Sequence, residues 1–374
     1  VQIAGSITCF KPGFLTLVGY SATLKMWKVN NQPTSVLGGL HMAIAHNRVE
    51  SQFTQTGDIG SVYGGVTLDR ALTVPEAIEA GGLDWRVRIG SSVWDSDKKT
   101  KIPGYRGTVR VNSDGSTVGL GIVKGRYVPL QNQDAFNWLQ GLIGKDGAAI
   151  TSAGVLFNGR FTWVCVDLGA FDVLPGDTVN KHMVVINSHD ASSNVMVYFL
   201  PHRLVCQNML NFSSSPIKVR HTNNAMGQLA EAERIMSIAV KNFDTVKEAF
   251  NVFRKVEVSS KQADELIYRS LDVDSAQLNA FYNGEFKKIP QWVGHAASIH
   301  EMLEKGPGAN LPGVQGTIWG VYNAFTAYYD HVRLVRNAKD DPDVAIESKM
   351  LKHSAEAKIT AYKACVEMAQ ELKN

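Results

Sequence analysis

The chain is poor in cysteine, lacks long apolar runs and carries almost no excess charge. Its four cysteines, Cys9, Cys165, Cys206 and Cys365, lie far apart. None forms a CxxC pair or has zinc-type spacing with a histidine, so they read as buried, reduced thiols. No apolar run reaches the roughly 18 residues that a membrane helix needs. The first residues lack the ordered charged start, apolar core and small-residue cleavage site of a secretion signal, so a cytoplasmic protein is expected. There is no Walker loop, no GxGxxG and no HExxH, and the carboxylates do not cluster with metal-ligand logic. These absences predict a protein that is not an enzyme and holds no metal and no cofactor.

What is present is an ordinary globular composition. Of 374 residues, 44% are hydrophobic and 20% charged, with a net charge of +3. The charge is uneven: residues 1–222 hold 20 Lys/Arg against 15 Asp/Glu, and residues 223–374 hold 18 against 20. The positive excess lies in the half that reads as strands.

Residues 1–41 mix short apolar pieces with turn residues and read as an N-terminal arm or extension; Met42 opens a run, MAIAHNRVE, resembling a natural start. Thr73-Val74-Pro75-Glu76 fits a capping box, and the short helix it opens stops at Gly81-Gly82. WRVRIGSSVW alternates as a strand, with Trp85, Val87 and Ile89 on one face and Arg86 and Arg88 on the other. Two strands follow around Asp114-Gly115, then a helix whose Phe136, Leu139 and Ile143 form one stripe. Asn158-Gly159 predicts a hairpin, HMVVINSHD and NVMVYFLPHR two more strands, and SPIKVRHT a short one. After Asn224 the period becomes helical, ending in a helix from about Asp343 to Lys373. The predicted fold is α+β: an antiparallel β-sheet core with inserted helices (residues 42–222), then a C-terminal helical region (223–374).

The strongest chemical signal is a basic hairpin. Lys98, Lys99, Lys101, Arg106, Arg110, Lys124 and Arg126 stand against one acid, Asp114, with Tyr105 and Tyr127 near the ends. Such a segment suits a polyanion, with cations on phosphates and aromatics on bases; its alternative reading is a solvated edge whose lysines discourage aggregation. A second segment, 201–221, holds Arg203, Lys218, Arg220, His202 and His221 and no acid. If the sheet brings the two together they form a cationic groove, with Ser188 and His189 as further contacts. Ser188-His189-Asp190 is no catalytic triad, because neighbouring residues cannot relay protons among themselves; it reads as a turn. Asn132 reads as a helix N-cap. Gln207-Asn208 reads equally as a satisfier of buried backbone or a ligand contact. Trp319, Tyr322, Phe325, Tyr328 and Tyr329 recur at helical spacing, as core or as a subunit contact.

Five phrases occur in order: GGLDWRVRI, GIVKGRYVPLQNQDAFNWL, INSHDASSNVMVYFLPHRLVCQNML, IKVRHTNNAMGQLAEA and GTIWGVYNAFTAYYDHV. Together they resemble the phage/plasmid-like protein family, a domain of unknown function carried by bacteriophages, plasmids and prophage islands. The resemblance spans about residues 42 to 335, and residues 1–41 depart from it. It implies a mobile-element protein of the bacterial cytoplasm. A weaker likeness of shape, strands followed by a helix over residues 84–143, links the chain to phage single-strand annealing proteins.

Two functions follow. The first is a non-catalytic protein that binds single-stranded DNA and promotes annealing and recombination as a homo-oligomer, ring or filament, with no membrane partner. The second is an oligomeric protein–protein module acting on host defence, in which the aromatic helix at 316–335 is the contact and the basic hairpin is incidental.

Overall fold

The computed structural model describes residues 65–68, 73–193, 195–212, 216–219, 225–285 and 290–373. The arm expected over residues 1–41 lies outside the described residues. All described residues belong to one unit, Ala43–Asn374.

The architecture is α+β with two antiparallel sheets. The strands are β1 (Gly65–Thr67), β2 (Arg86–Trp94), β3 (Lys101–Val111), β4 (Thr117–Lys124), β5 (Ala149–Leu156), β6 (Phe161–Leu174), β7 (Asp177–Ser188), β8 (Met196–Arg203), β9 (Asn208–Met209) and β10 (Ile217–Lys218). The body sheet runs β1-β5-β6-β7-β8-β10, with β9 also on β8, and β2-β3-β4 form a separate meander. The helices are α1 (Val74–Ala80), α2 (Asn132–Phe136), α3 (Ala225–Phe253), α4 (Ser260–Ser270), α5 (Ser275–Tyr282), α6 (Gln291–Lys305), α7 (Ile318–Ala327), α8 (Pro342–Met350) and α9 (His353–Glu371). Among the described residues no helix is long and apolar enough to cross a membrane.

The body sheet is apolar on both faces, which is why β6 and β7 read as nearly continuous apolar runs. Val164, Val166, Met183, Val185 and Val197 pack under α1, α2 and α3, through Ala77, Phe136, Ala232 and Phe243 among others. Trp163, Cys165, Val184, Ile186 and Leu200 face the opposite way, onto Met209 and Met350. Helix α3 thus shares its core with the sheet, and the β-rich and helical regions are layers of one unit.

The expected turns are present. Thr73 and Glu76 form the capping box. Asn158 (φ 58°) and Gly159 (φ 101°) turn the chain between β5 and β6. The expected helix over Gln131–Gly144 departs from α geometry after Phe136 and continues as a 3-10 turn, Asn137–Gly141. Its end lies tight against α3, since a Cβ on Gly141 would come within 3.0 Å of the Ala232 Cβ. Gln131, not Asn132, holds the N-cap position. The C-terminal helix divides at Leu351-Lys352, where Ser348 Oγ accepts from the Ser354 amide at 3.3 Å.

Helix α7 is buried on every side, and it ends in a π-helical turn, Tyr328–Val332. Trp319 and Tyr322 pack with Phe250 of α3, and Tyr322 also with Tyr362 of α9, the Phe250 and Trp319 ring centroids 4.8 Å apart. The subunit contact expected of this aromatic stripe has no exposed aromatic ring to use: Trp319, Tyr322, Phe325, Tyr328 and Tyr329 are all core.

Candidate nucleic-acid interface

The three strands of the meander carry Arg86, Arg88, Lys101, Arg106, Arg110 and Lys124, and not one Asp or Glu. The acids of this region stand in its turns. Asp95 accepts from the Lys99 and Thr100 amides at 2.9 and 3.1 Å, and Asp114 accepts from the Ser116 amide at 2.8 Å. Hydrogen bonds hold both carboxyls below their usual range, chiefly that from the Thr100 amide at Asp95 and those from the Ser116 hydroxyl and then its amide at Asp114.

Register sorts the side chains onto two faces, because directly paired residues share one. Arg86 pairs with Val111 and Arg88 with Val109; Val111 and Val109 pair in turn with Thr117 and Gly119. Further along, Gly107 faces Ile122 and Tyr105 faces Lys124. These residues make one face, the outer one, on which Arg86, Arg88, Tyr105, Ile122 and Lys124 are exposed. The inner face holds Val87, Arg110, Thr108, Val123 and, beyond the buried part, the exposed Arg106 opposite Val123, with Leu120 turned inward at a bulge between Gly119 and Gly121.

The inner face is what fastens the meander to the body. Trp85, Val87 and Leu120 form a small core, and the Arg110 guanidinium lies 4.6 Å above the Trp85 ring. Arg110 also donates to Asn158 O at 3.4 Å. The Gln131 side-chain amide accepts from the Val87 N–H and donates to the Val87 C=O, both at 3.0 Å, and so acts as an extra strand partner on the β2 edge. Asn132 donates to Leu83 O at 2.9 Å, and its Oδ1 lies 2.8 Å from His189 Nε2 and 3.0 Å from Thr162 Oγ1. Trp85 stacks edge-on against His189. A Cβ on Gly121 would collide with Asp190, so β4 runs directly over the 188–193 turn. The Gln131 amide is therefore a fastener of the meander, and the Asn132 amide ties the chain before β2 to the body.

Beyond this anchored base the meander stands clear, and Lys101 to Arg106 are exposed without interruption. Trp94 is 48% exposed, Tyr105 42% and Ile122 60%, unusual values for large apolar side chains in strands.

The expected site residues fall into three groups. Lys98, Lys99, Lys101, Tyr105, Arg106, Lys124 and Arg126 are exposed on the meander and its turns. Arg110 and Tyr127 are half-buried at its base; burial lowers the Arg110 pKa, with Asp84 opposing, and raises that of Tyr127, with Asp190 adding to the effect. Ser188, His189 and Arg203 are inside the protein, which corrects their assignment to a surface groove. Ser188 Oγ donates to Ser193 O at 2.7 Å. Arg203 makes a bidentate pair with Asp177 at 2.6 and 2.8 Å, and Asp177 also accepts from Trp319 Nε1 at 2.8 Å. Lys218 is exposed on β10, in the other sheet; Arg220 and His221 lie outside the described residues.

Arg86, Arg88, Trp94 and Ile122 belong to the exposed surface but were not among the expected site residues. The alternation of RVRI did expose Arg86 and Arg88 on one face. The dense run of charge begins only at Lys98, whereas the cations of β2 stand two apart.

Of Gln207-Asn208, Asn208 resolves as an interior polar group and Gln207 is half-buried. Asn208 Nδ2 donates to Asn323 O and Thr326 Oγ1, at 3.1 and 2.9 Å. Asp330 Oδ1 pairs with Lys358 at 2.6 Å while its Oδ2 accepts from the Met209 amide at 2.9 Å. Strand β9 is thereby stitched to α7 and its π-turn. Among the described residues no group of three or more His, Cys, Asp or Glu is placed to hold a metal ion.

The family model described as Domain of unknown function (DUF932) matches residues 119–351, from β4 to just past α8. No curated protein and no solved structure matches the chain.

Proposed function

We propose a nucleic-acid-binding role, without catalysis, for this chain, which belongs to the DUF932 family. The observation that carries it is the meander: three strands with six Lys or Arg and no carboxylate, fastened at one end and exposed at the other. A polyanion gains from such a surface by releasing condensed counterions, and exposed Tyr105 and Trp94 offer flat aromatic faces to unpaired bases, with Ile122 as further apolar surface. Single-stranded DNA is the favoured ligand. Annealing of complementary strands, by several copies of the chain in a mobile-element setting, is the activity such a surface would serve, because bound strands need only be held extended with their bases free.

Anisotropy titrations of a labelled single strand and its duplex at two salt concentrations test this. The expected result is tighter binding to the single strand, weakening with salt. The log–log slope should fall by about 0.7 for each phosphate-binding cation removed in Lys98→Ala, Lys99→Ala and Lys101→Ala. Salt-independent binding, or none, would sink the reading.

The exposed apolar side chains of the meander also favour a second reading, a docking arm for a protein partner. That reading expects binding that survives high salt and is lost when Trp94 and Ile122 become serine.

A further inference from the structure

We infer that the single strand lies across the outer face of the meander, over Gly107 and Gly119, between Arg86 and Arg88 on one side and Tyr105 and Lys124 on the other. This rests on the proposed function and adds which face is used and where the polymer crosses it.

Charge selects the face. Arg86, Arg88 and Lys124 project outward with no ion pair among the described residues, and no carboxylate shares their strands. On the inner face, Arg110 is committed to Trp85, Asn112 and Asn158, and Val123 and Leu120 are buried. The outer face thus offers three free cations, Arg86, Arg88 and Lys124, against one on the inner face, Arg106, which lies opposite the buried Val123.

Shape selects the path. A glycine inside a strand forfeits side-chain packing and adds conformational entropy to the unfolded chain, so it needs a reason. The other strand glycines of the meander have one. A Cβ on Gly90 would meet Val109 at 2.8 Å, one on Gly121 would meet Asp190 at 2.5 Å, and Gly104 has φ +78°. Gly107 and Gly119 have no such constraint. Neither has positive φ; a Cβ on Gly107 would find its nearest neighbour at 3.9 Å, and one on Gly119 nothing within 4 Å. Both lie on the outer face, on neighbouring strands, Gly107 opposite Ile122 and Gly119 opposite Val109, and leave the backbone bare at those two positions, between the arginines and the Tyr105–Lys124 pair. Bare backbone suits the close approach of a sugar–phosphate chain, with its phosphates reaching the flanking cations and a base resting on Tyr105.

The test uses the full chain and a labelled oligothymidine, with melting temperature measured beside affinity. Arg86→Ala/Arg88→Ala is expected to weaken binding about tenfold or more, as removal of two phosphate-binding cations should at moderate salt. Gly107→Val/Gly119→Val is expected to weaken it comparably while its melting temperature equals or exceeds that of the wild type, because β-branched residues favour strands and the space is open. Lys241→Ala/Lys261→Ala, which removes two charges from the helical region, should leave binding unchanged. If the wild type binds and either the arginine or the glycine variant binds equally well, the placement is wrong while the proposed function survives. A lowered melting temperature in both the valine variant and the milder Gly119→Ala shows that the fold itself needs these glycines, and also overturns the placement. If the wild type binds no strand, the proposed function falls and this inference with it.

Discussion

At the scale of single residues, the interior polar groups are where one substitution has the largest effect. Lys358 is fully buried against Asp330, and burial lowers its pKa while the carboxylate opposes that shift. Lys358→Met leaves Asp330 charged and unpaired, and is expected to destabilise the fold by about 3–5 kcal/mol, measurable by denaturant unfolding. Adding Asp330→Asn should restore part of that stability, since no charge is left stranded. The buried imidazoles predict a pH dependence. Burial pushes His189 and His202 down to about 4, opposed by Asp190 and Asp330 respectively, and lowers His182, which stacks on His202. In the unfolded chain these groups take up a proton near pH 6.5. Between about 6.5 and 4 the unfolded state therefore binds more protons, so stability is full above that window and falls as pH drops through it. His202→Phe should flatten the decline of melting temperature from pH 7 to 5; an unchanged slope would place the titration elsewhere.

At the scale of elements, the meander depends on borrowed partners. The Gln131 side chain completes the outer hydrogen bonds of Val87, and its removal leaves a part-buried N–H and C=O unpaired. Gln131→Ala is expected to cost about 1–3 kcal/mol and to speed amide exchange at Val87 relative to the body sheet. Equal exchange in both proteins would show that the core around Trp85 holds the strand without it. Helices α5 and α6 were not expected from periodicity. The first announces itself through its cap: Asp274 and Gln277 form a capping box, a signature readable as D-x-x-Q. Its face was hard to read because none of its residues is buried.

At the scale of the molecule, the β-rich and helical regions fold as one. Ala232, Ile235, Ala239 and Phe243 of α3 complete the core over Val164, Met183 and Val197. A fragment ending at residue 222 would expose that apolar face to water. It is expected to bind a hydrophobic dye and to lack a cooperative unfolding transition, whereas the full chain should melt in a single one. A fragment that unfolds cooperatively would mean the sheet needs no helical cover.

Local chemistry alone determined much of this protein. The capping box at Thr73, the turns at Asp114-Gly115 and Asn158-Gly159, the strands between them and the change to helix after Asn224 depend on neighbours in sequence, and all were readable there. What the sequence could not determine was burial. Arg203 and Lys218 look alike as cations in an acid-free segment, yet Arg203 meets Asp177 in the interior and Lys218 meets water. Arg86 and Arg110 both sit on basic strands without a carboxylate, yet register turns one outward and stacks the other on Trp85. Contacts between residues distant in sequence decide which cations remain free, and only the packed tertiary structure supplies them.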